Sequence, residues 1–210
     1  RRMLMTMRAK IQAGRAMCYA TAIAADNGDK AREDLLTPLA KAWCTDLGVE
    51  AASLGVQVHG GMGYVEEGGA AQFYRDARIA PIYEGTNGIQ AIDLYGRKLL
   101  SDRGEAMRSL IADAREIAGA THPKRAAAID ALAEGTDYML SASRDDALAG
   151  AFAYLQLAGD VVGGMLLVKG AARDPNPDQA ASLRFYARTI LARAPSRLAE
   201  IKLGADVLTL

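Results

Sequence analysis

Apolar side chains recur along this chain at intervals of three and four residues, the period of an α-helix with one buried face. From Arg2 to Asp26 they fall at Leu4, Met7, Ile11, Cys18 and Ala22, which predicts a helix with those residues inward and a stop at Asn27-Gly28. A second helix is expected from Thr37, as N-cap, through Pro38 in its first turn to Gly60-Gly61, with Leu39, Trp43, Leu47, Leu54 and Val58 on its apolar stripe. A shorter helix is read from Ala70 to Ala77. Another starts near Thr86 or Asn87 and carries Ile89, Ile92, Tyr95 and Leu99 inward, so the residues around Glu84 form a brief loop between helices.

Beyond Leu100 four more helical patterns run roughly over 105–120, 123–143, 145–172 and 177–203, after a boundary placed at Ser101 to Gly104. Asn176 is expected to cap the last of them, Pro177 to open it and Pro195 to break it, because an interior proline removes a backbone hydrogen bond. The most apolar stretch, Gly150 to Gly170, is long enough to span a bilayer, but Gln156 and Asp160 at its centre favour burial in a helical bundle. Strand patterns are missing, and the chain reads as all-α.

Charge narrows the range of partners. Twenty-five Lys and Arg balance 25 Asp and Glu, so the basic footprint of a nucleic-acid binder is absent and neither nucleic acid nor membrane insertion is expected. Cys18 and Cys44 sit in helical patterns without metal-ligand or disulfide-framework spacing, which fits a reducing, cytoplasmic home. No signal peptide is read at the N-terminus, and the opening on Arg1 implies a piece of a longer protein.

Few constellations of known chemistry occur. The two histidines, His59 and His122, are far apart, and no nucleophile elbow, P-loop or zinc pair is present. Gln57-Val58-His59-Gly60-Gly61 is either a glycine helix stop or a backbone surface that a phosphate can approach. Glu84 stands just before a helix N-terminus. The dipole alone favours a carboxylate there. A catalytic base would also suit the position, with Gly85 leaving room for a substrate and apolar Ile82 and Tyr83 desolvating the carboxylate.

Three stretches taken together, Gln57 to Tyr64 (QVHGGMGY), Tyr74 to Ile79 (YRDARI) and Ile82 to Thr86 (IYEGT), resemble the C-terminal helical domain of the acyl-CoA dehydrogenases in order and spacing. The resemblance implies a four-helix-type bundle over 1–102, followed over 103–210 by the extra helical region of the longer subfamily that includes 3-methylthiopropanoyl-CoA dehydrogenases. It implies an FAD enzyme that converts an acyl-CoA, either 3-methylthiopropanoyl-CoA or a fatty acyl-CoA, to the trans-2-enoyl-CoA. Glu84 would remove the α-proton and the flavin would accept hydride. Gly85 would line the thioester site, and Thr86, Asn87 and Gly88 would contact FAD, with Gly88 standing where the family more often has a larger polar residue. Gln57, Val58, His59, Gly60 and Gly61 would reach the adenine and pyrophosphate end of an FAD held mainly by a neighbouring subunit. A homo-oligomer and electron-transfer flavoprotein as electron acceptor follow from the same resemblance. The family's N-terminal helical and middle β domains have no counterpart in the sequence, so the chain alone is expected to bind FAD poorly and to be inactive. The competing readings are an acyl-CoA oxidase and a helical assembly module without turnover.

Overall fold

The buried side of the first helix is built from small residues. In the computed structural model, which describes residues 1–119 and 122–208, α1 (Arg2–Asp26) buries Ala9, Ala13, Gly14, Met17 and Ala24. The face expected to be inward is displaced: Leu4, Ile11, Cys18 and Ala22 are exposed, and Met7 is only partly covered. The reason is close approach to α2 (Lys30–His59), where a Cβ on Gly14 would stand 2.5 Å from Leu47 Cδ2. Helices that approach this closely meet through alanine and glycine, which leaves the bulky apolar residues on the outside.

The second helix also begins earlier than its proline suggested, at Lys30 rather than Pro38. Asp29 caps it by accepting from the Arg32 N–H at 3.1 Å, and Pro38 lies inside the helix. An interior proline costs about 3 kcal/mol, but Leu35, Leu36 and Leu39 around it are all buried, and that burial outweighs the penalty. Towards its far end the helix leaves the core, with Leu54 half-buried and Val58 exposed. A single turn, α3 (Gly61–Tyr64), and α4 (Ala70–Ile79) follow.

The next helix, α5 (Asn87–Asp93), widens into a π-helical stretch over Leu94–Leu99. Asn87, Ala91, Leu94, Tyr95 and Leu99 face inward, whereas Ile89 and Ile92, expected to be inward, are about half exposed. Asn87 sets this register. Its amide is turned into α2, and the positions on the same face, four, seven and eight residues later, must follow it inward.

The second half adds α6 (Glu105–Ala114), which continues as a π-helical turn over Arg115–Gly119, then α7 (Pro123–Ser141) and α8 (Arg144–Arg173). Two more helices, α9 (Pro177–Thr189) and α10 (Ala194–Ile201), close the chain. Asn176 caps α9 as expected, accepting from the Gln179 N–H at 2.8 Å, and the helix breaks at Ile190 so that Pro195 falls in the first turn of α10. The end expected at Ala120 lies outside the described residues.

At the centre lies α8. It is long and apolar enough to cross a membrane, yet most of its apolar face is enclosed by α1, α2, α5, α7, α9 and α10. Trp43 of α2 lies across it, and a Cβ on Gly159 would stand 2.4 Å from Trp43 Cδ1. The indole Nε1–H donates to Asp160 Oδ1 at 3.0 Å, and the Tyr186 hydroxyl donates to the Asp160 carbonyl at 3.0 Å. One apolar core therefore runs from Ala9 through Trp43 and Leu155 to Ile201, across the turn at Ser101 to Gly104. Among the described residues there is no β-strand, and the all-α reading holds.

Candidate functional site

The loop between α4 and α5 is strained at its carboxylate. Glu84 has φ of 42° and Gly85 a φ of 74°, so a glutamate occupies the left-handed region that favours glycine. Such a residue costs roughly 1–2 kcal/mol, and several contacts hold it in place. Lys41 Nζ of α2 donates to the Glu84 carbonyl, Gln90 Nε2 donates to the Gly85 carbonyl at 3.2 Å, and the Asn87 N–H donates to the Pro81 carbonyl at 3.1 Å. Thr86 caps α5 by accepting from the Ile89 N–H at 3.4 Å. The Glu84 N–H, by contrast, meets no acceptor among the described residues.

The carboxylate itself is exposed. Ile82 and Tyr83, expected to desolvate it, are themselves about half exposed, so nothing among the described residues buries Glu84. The loop turns its apolar side chains outward because the inward anchoring is polar. Asn87, 6 % exposed, donates from Nδ2 to the Ala42 carbonyl at 3.0 Å and to Asp46 Oδ1 at 2.7 Å, and its Oδ1 accepts from Thr45 Oγ1 at 3.1 Å. Burial pushes the Asp46 carboxyl up from its usual range, against the hydrogen bonds from Asn87 and Gln156 and the charges of Arg78 and Lys10.

A cleft of about 610 Å³ opens beside this loop, lined among others by Asp46, Glu50, Tyr74, Arg78, Thr86 and Gly88. Its size lies within the ~300–1,000 Å³ common for small-molecule sites. The other motif lies at the far end of α2. Gln57, Val58, His59, Gly60 and Gly61 are all exposed, and His59 is turned back onto its own helix, Nδ1 lying 2.8 Å from the Gly55 carbonyl. Gly60, with φ of 63°, ends the helix, and nothing stands within 4 Å of where a Cβ on Gly60 or Gly61 would lie, leaving that backbone approachable. Arg75 of α4 pairs with Glu66 at 2.8 Å. Gly85 and Thr86 are exposed on the loop with Glu84, and Gly88 is exposed in the first turn of α5, but the Asn87 side chain is directed away from the loop into the protein. Pattern reading missed Lys41, Asp46 and Gln156. Only the last carried a signal, as an amide at the centre of the most apolar helix.

Comparison with known proteins places this chain in a family. Residues 1–100 match the model of the acyl-CoA dehydrogenase C-terminal domain, and residues 104–210 match that of the acetyl-CoA dehydrogenase C-terminal-like region. The chain belongs to the acyl-CoA dehydrogenase family. It is 44% identical over 194 residues, 80% of its length, to 3-methylmercaptopropionyl-CoA dehydrogenase of Ruegeria pomeroyi, and covers 32% of that relative. It is 34% identical over 124 residues, 54% of its length, to a butyryl-CoA dehydrogenase of Syntrophomonas wolfei, and covers 20% of it. The chain thus spans about a third or less of the curated relatives it matches. The crystal structure of Caenorhabditis elegans ACDH-11 in complex with C11-CoA shares the fold, with a TM-score of 0.66 at 19% identity over 90% of this chain and 36% of that one.

Proposed function

We propose that the protein containing this chain is an FAD-dependent acyl-CoA dehydrogenase in which Glu84 is the base that removes the proton α to the thioester. The observation that carries this reading is the posture of Glu84: a strained backbone clamped at its carbonyl by Lys41, with an exposed carboxylate and an N–H that has no acceptor among the described residues. An α-proton of a thioester is too weakly acidic for a fully solvated carboxylate, so catalysis needs a desolvated base and a donor for the developing enolate oxygen. Glu84 offers both groups, its carboxylate as base and its N–H as donor. The desolvation comes from the rest of the protein and from the bound acyl chain.

FAD, when bound, supplies the acceptor for the hydride that leaves the β-carbon. Thr86, Gly88 and the backbone of Asn87 are suited to hold it from one subunit. Gln57, Val58, His59, Gly60 and Gly61 are suited to receive its pyrophosphate and adenine from another. The open backbone at Gly60 and Gly61 supports that fit, since no side chain blocks an approaching phosphate. A homo-oligomer follows from this division of the cofactor, and electron-transfer flavoprotein is the electron acceptor. The likeness to the Ruegeria protein makes 3-methylmercaptopropionyl-CoA the first substrate to try and butyryl-CoA the second. We place the protein in the cytoplasm.

Glu84→Gln in the full-length protein tests the assignment. It should leave FAD bound while slowing the bleaching of the flavin by either acyl-CoA about a thousandfold, within the ~10²–10⁴ that a general base contributes. Bleaching at the wild-type rate would remove Glu84 from the role of base and favour an assembly module or a different catalytic group.

A further inference from the structure

The loop that carries Glu84 is tied to the centre of the molecule by a short run of hydrogen bonds that starts at Asn87. Asn87, three residues along and the first residue of α5, donates to Asp46 Oδ1 at 2.7 Å. The second carboxylate oxygen of Asp46 accepts from Gln156 Nε2, also at 2.7 Å. Gln156 belongs to α8, in the segment from 104 to 210, and its side chain makes no other hydrogen bond among the described residues. Its amide lies in the most apolar helix of the chain, half-buried, and a polar side chain placed there is unfavourable unless its hydrogen bond is met. Asp46 is likewise half-buried, with both oxygens engaged by amide donors from two different elements. Thr45 and the Ala42 carbonyl complete the satisfaction of Asn87, so that the start of α5 is fixed in direction as well as in distance.

We propose that Asp46 and Gln156 are positioning residues for Glu84, and that the second helical segment braces the base-bearing loop through Asn87. The proposal rests on the reading of Glu84 as the base. It assigns the 104–210 segment a part in the dehydrogenation: the carboxylate of Glu84 is aimed by a loop whose C-terminal anchor is referred, through Asp46, to α8. A base misplaced by a fraction of an ångström loses rate without losing affinity for the acyl-CoA, because the substrate is held by other groups.

The donor and acceptor order of the pair makes a reciprocal test possible in the full-length flavin-loaded protein. Gln156→Glu places a carboxylate against a carboxylate, two groups that only accept. Asp46→Asn keeps the pair, since its new amide can donate to a Gln156 side chain that has turned its oxygen inward. The double variant restores one carboxylate and one amide with their roles exchanged, and the amide oxygen introduced at position 46 can still accept from Asn87. Gln156→Glu should lower kcat about tenfold with KM for butyryl-CoA or 3-methylmercaptopropionyl-CoA within twofold of wild type. It should also speed amide hydrogen exchange in the peptide covering 82–90 at least fivefold. The double variant should return both quantities to within threefold of wild type. A Gln156→Glu variant with wild-type kcat and exchange would overturn the proposal. So would a double variant no better than the worse single, including the case in which exchange rises over the whole chain through general loss of structure. Glu84→Gln in the same series separates the two readings. If it is inactive while Gln156→Glu matches wild type, only the brace fails; if it turns over normally, the base assignment fails and the brace with it.

Discussion

Asp160 shows what a single buried carboxyl does to stability. It lies on α8 beneath Trp43, and burial raises its carboxyl from the ordinary 3.8 to about 6, against the attraction of Lys10 and the indole hydrogen bond. A raised folded-state value means that the folded protein holds the proton over a range where the unfolded chain has lost it. The stabilisation is complete below about pH 4 and is lost as the pH rises through about 6. Asp160→Asn keeps the acceptor for Trp43 and removes the charge. Urea unfolding should find this variant more stable than wild type at pH 7.5 by an amount of order 3 kcal/mol, since each pKa unit corresponds to about 1.4 kcal/mol. At pH 4 the two proteins should differ little, other carboxyls contributing alike to both. The loop residues were legible as a motif, Glu84 and Gly85 together, but their supports were not. Lys41 reaches a residue 43 positions away, and Gln156 reaches Asp46 across 110, and no local pattern encodes such pairs.

At the level of helices, the pattern of apolar residues located the elements better than it oriented them. The stop after Asp26, the turn at Gly60 and the break before Pro195 follow from local backbone chemistry, and they appear where that chemistry puts them. Which face of α1 or α5 turns inward depends instead on the partner, as Gly14 against Leu47 and Asn87 against Asp46 demonstrate. The same dependence is testable at two glycines. Gly159→Ala should destabilise the protein by about 1–3 kcal/mol, the usual cost of overpacking, because its Cβ would meet the Trp43 ring. Gly48→Ala, in α2 with nothing within 4 Å of its Cβ, should raise stability by roughly 0.5–1 kcal/mol through helix propensity. Trp43, the one tryptophan of the chain, reports both transitions by its fluorescence.

For the molecule as a whole, the shared core matters more than the turn near residue 102. Trp43 belongs to the first family segment and Gly159 to the second, and they are in direct contact. The 210-residue chain should therefore unfold in one transition, with Trp43 fluorescence and far-ultraviolet circular dichroism coinciding in urea. Two separated transitions would show that 1–102 and 103–210 are energetically independent. The sequence divides the chain where two family patterns meet, whereas cooperativity is set by which side chains interlock, and the Trp43 contact lies across that division.

The left-handed backbone at Glu84 also bears on how such a site could decay. Glycine or asparagine would hold the same turn with less strain, so a lineage in which the carboxylate had lost its use would gain stability by replacing it. Drift therefore runs against this glutamate. Its persistence in a given relative would record continued selection on turnover, and its loss would be an early mark of a protein kept only for its architecture.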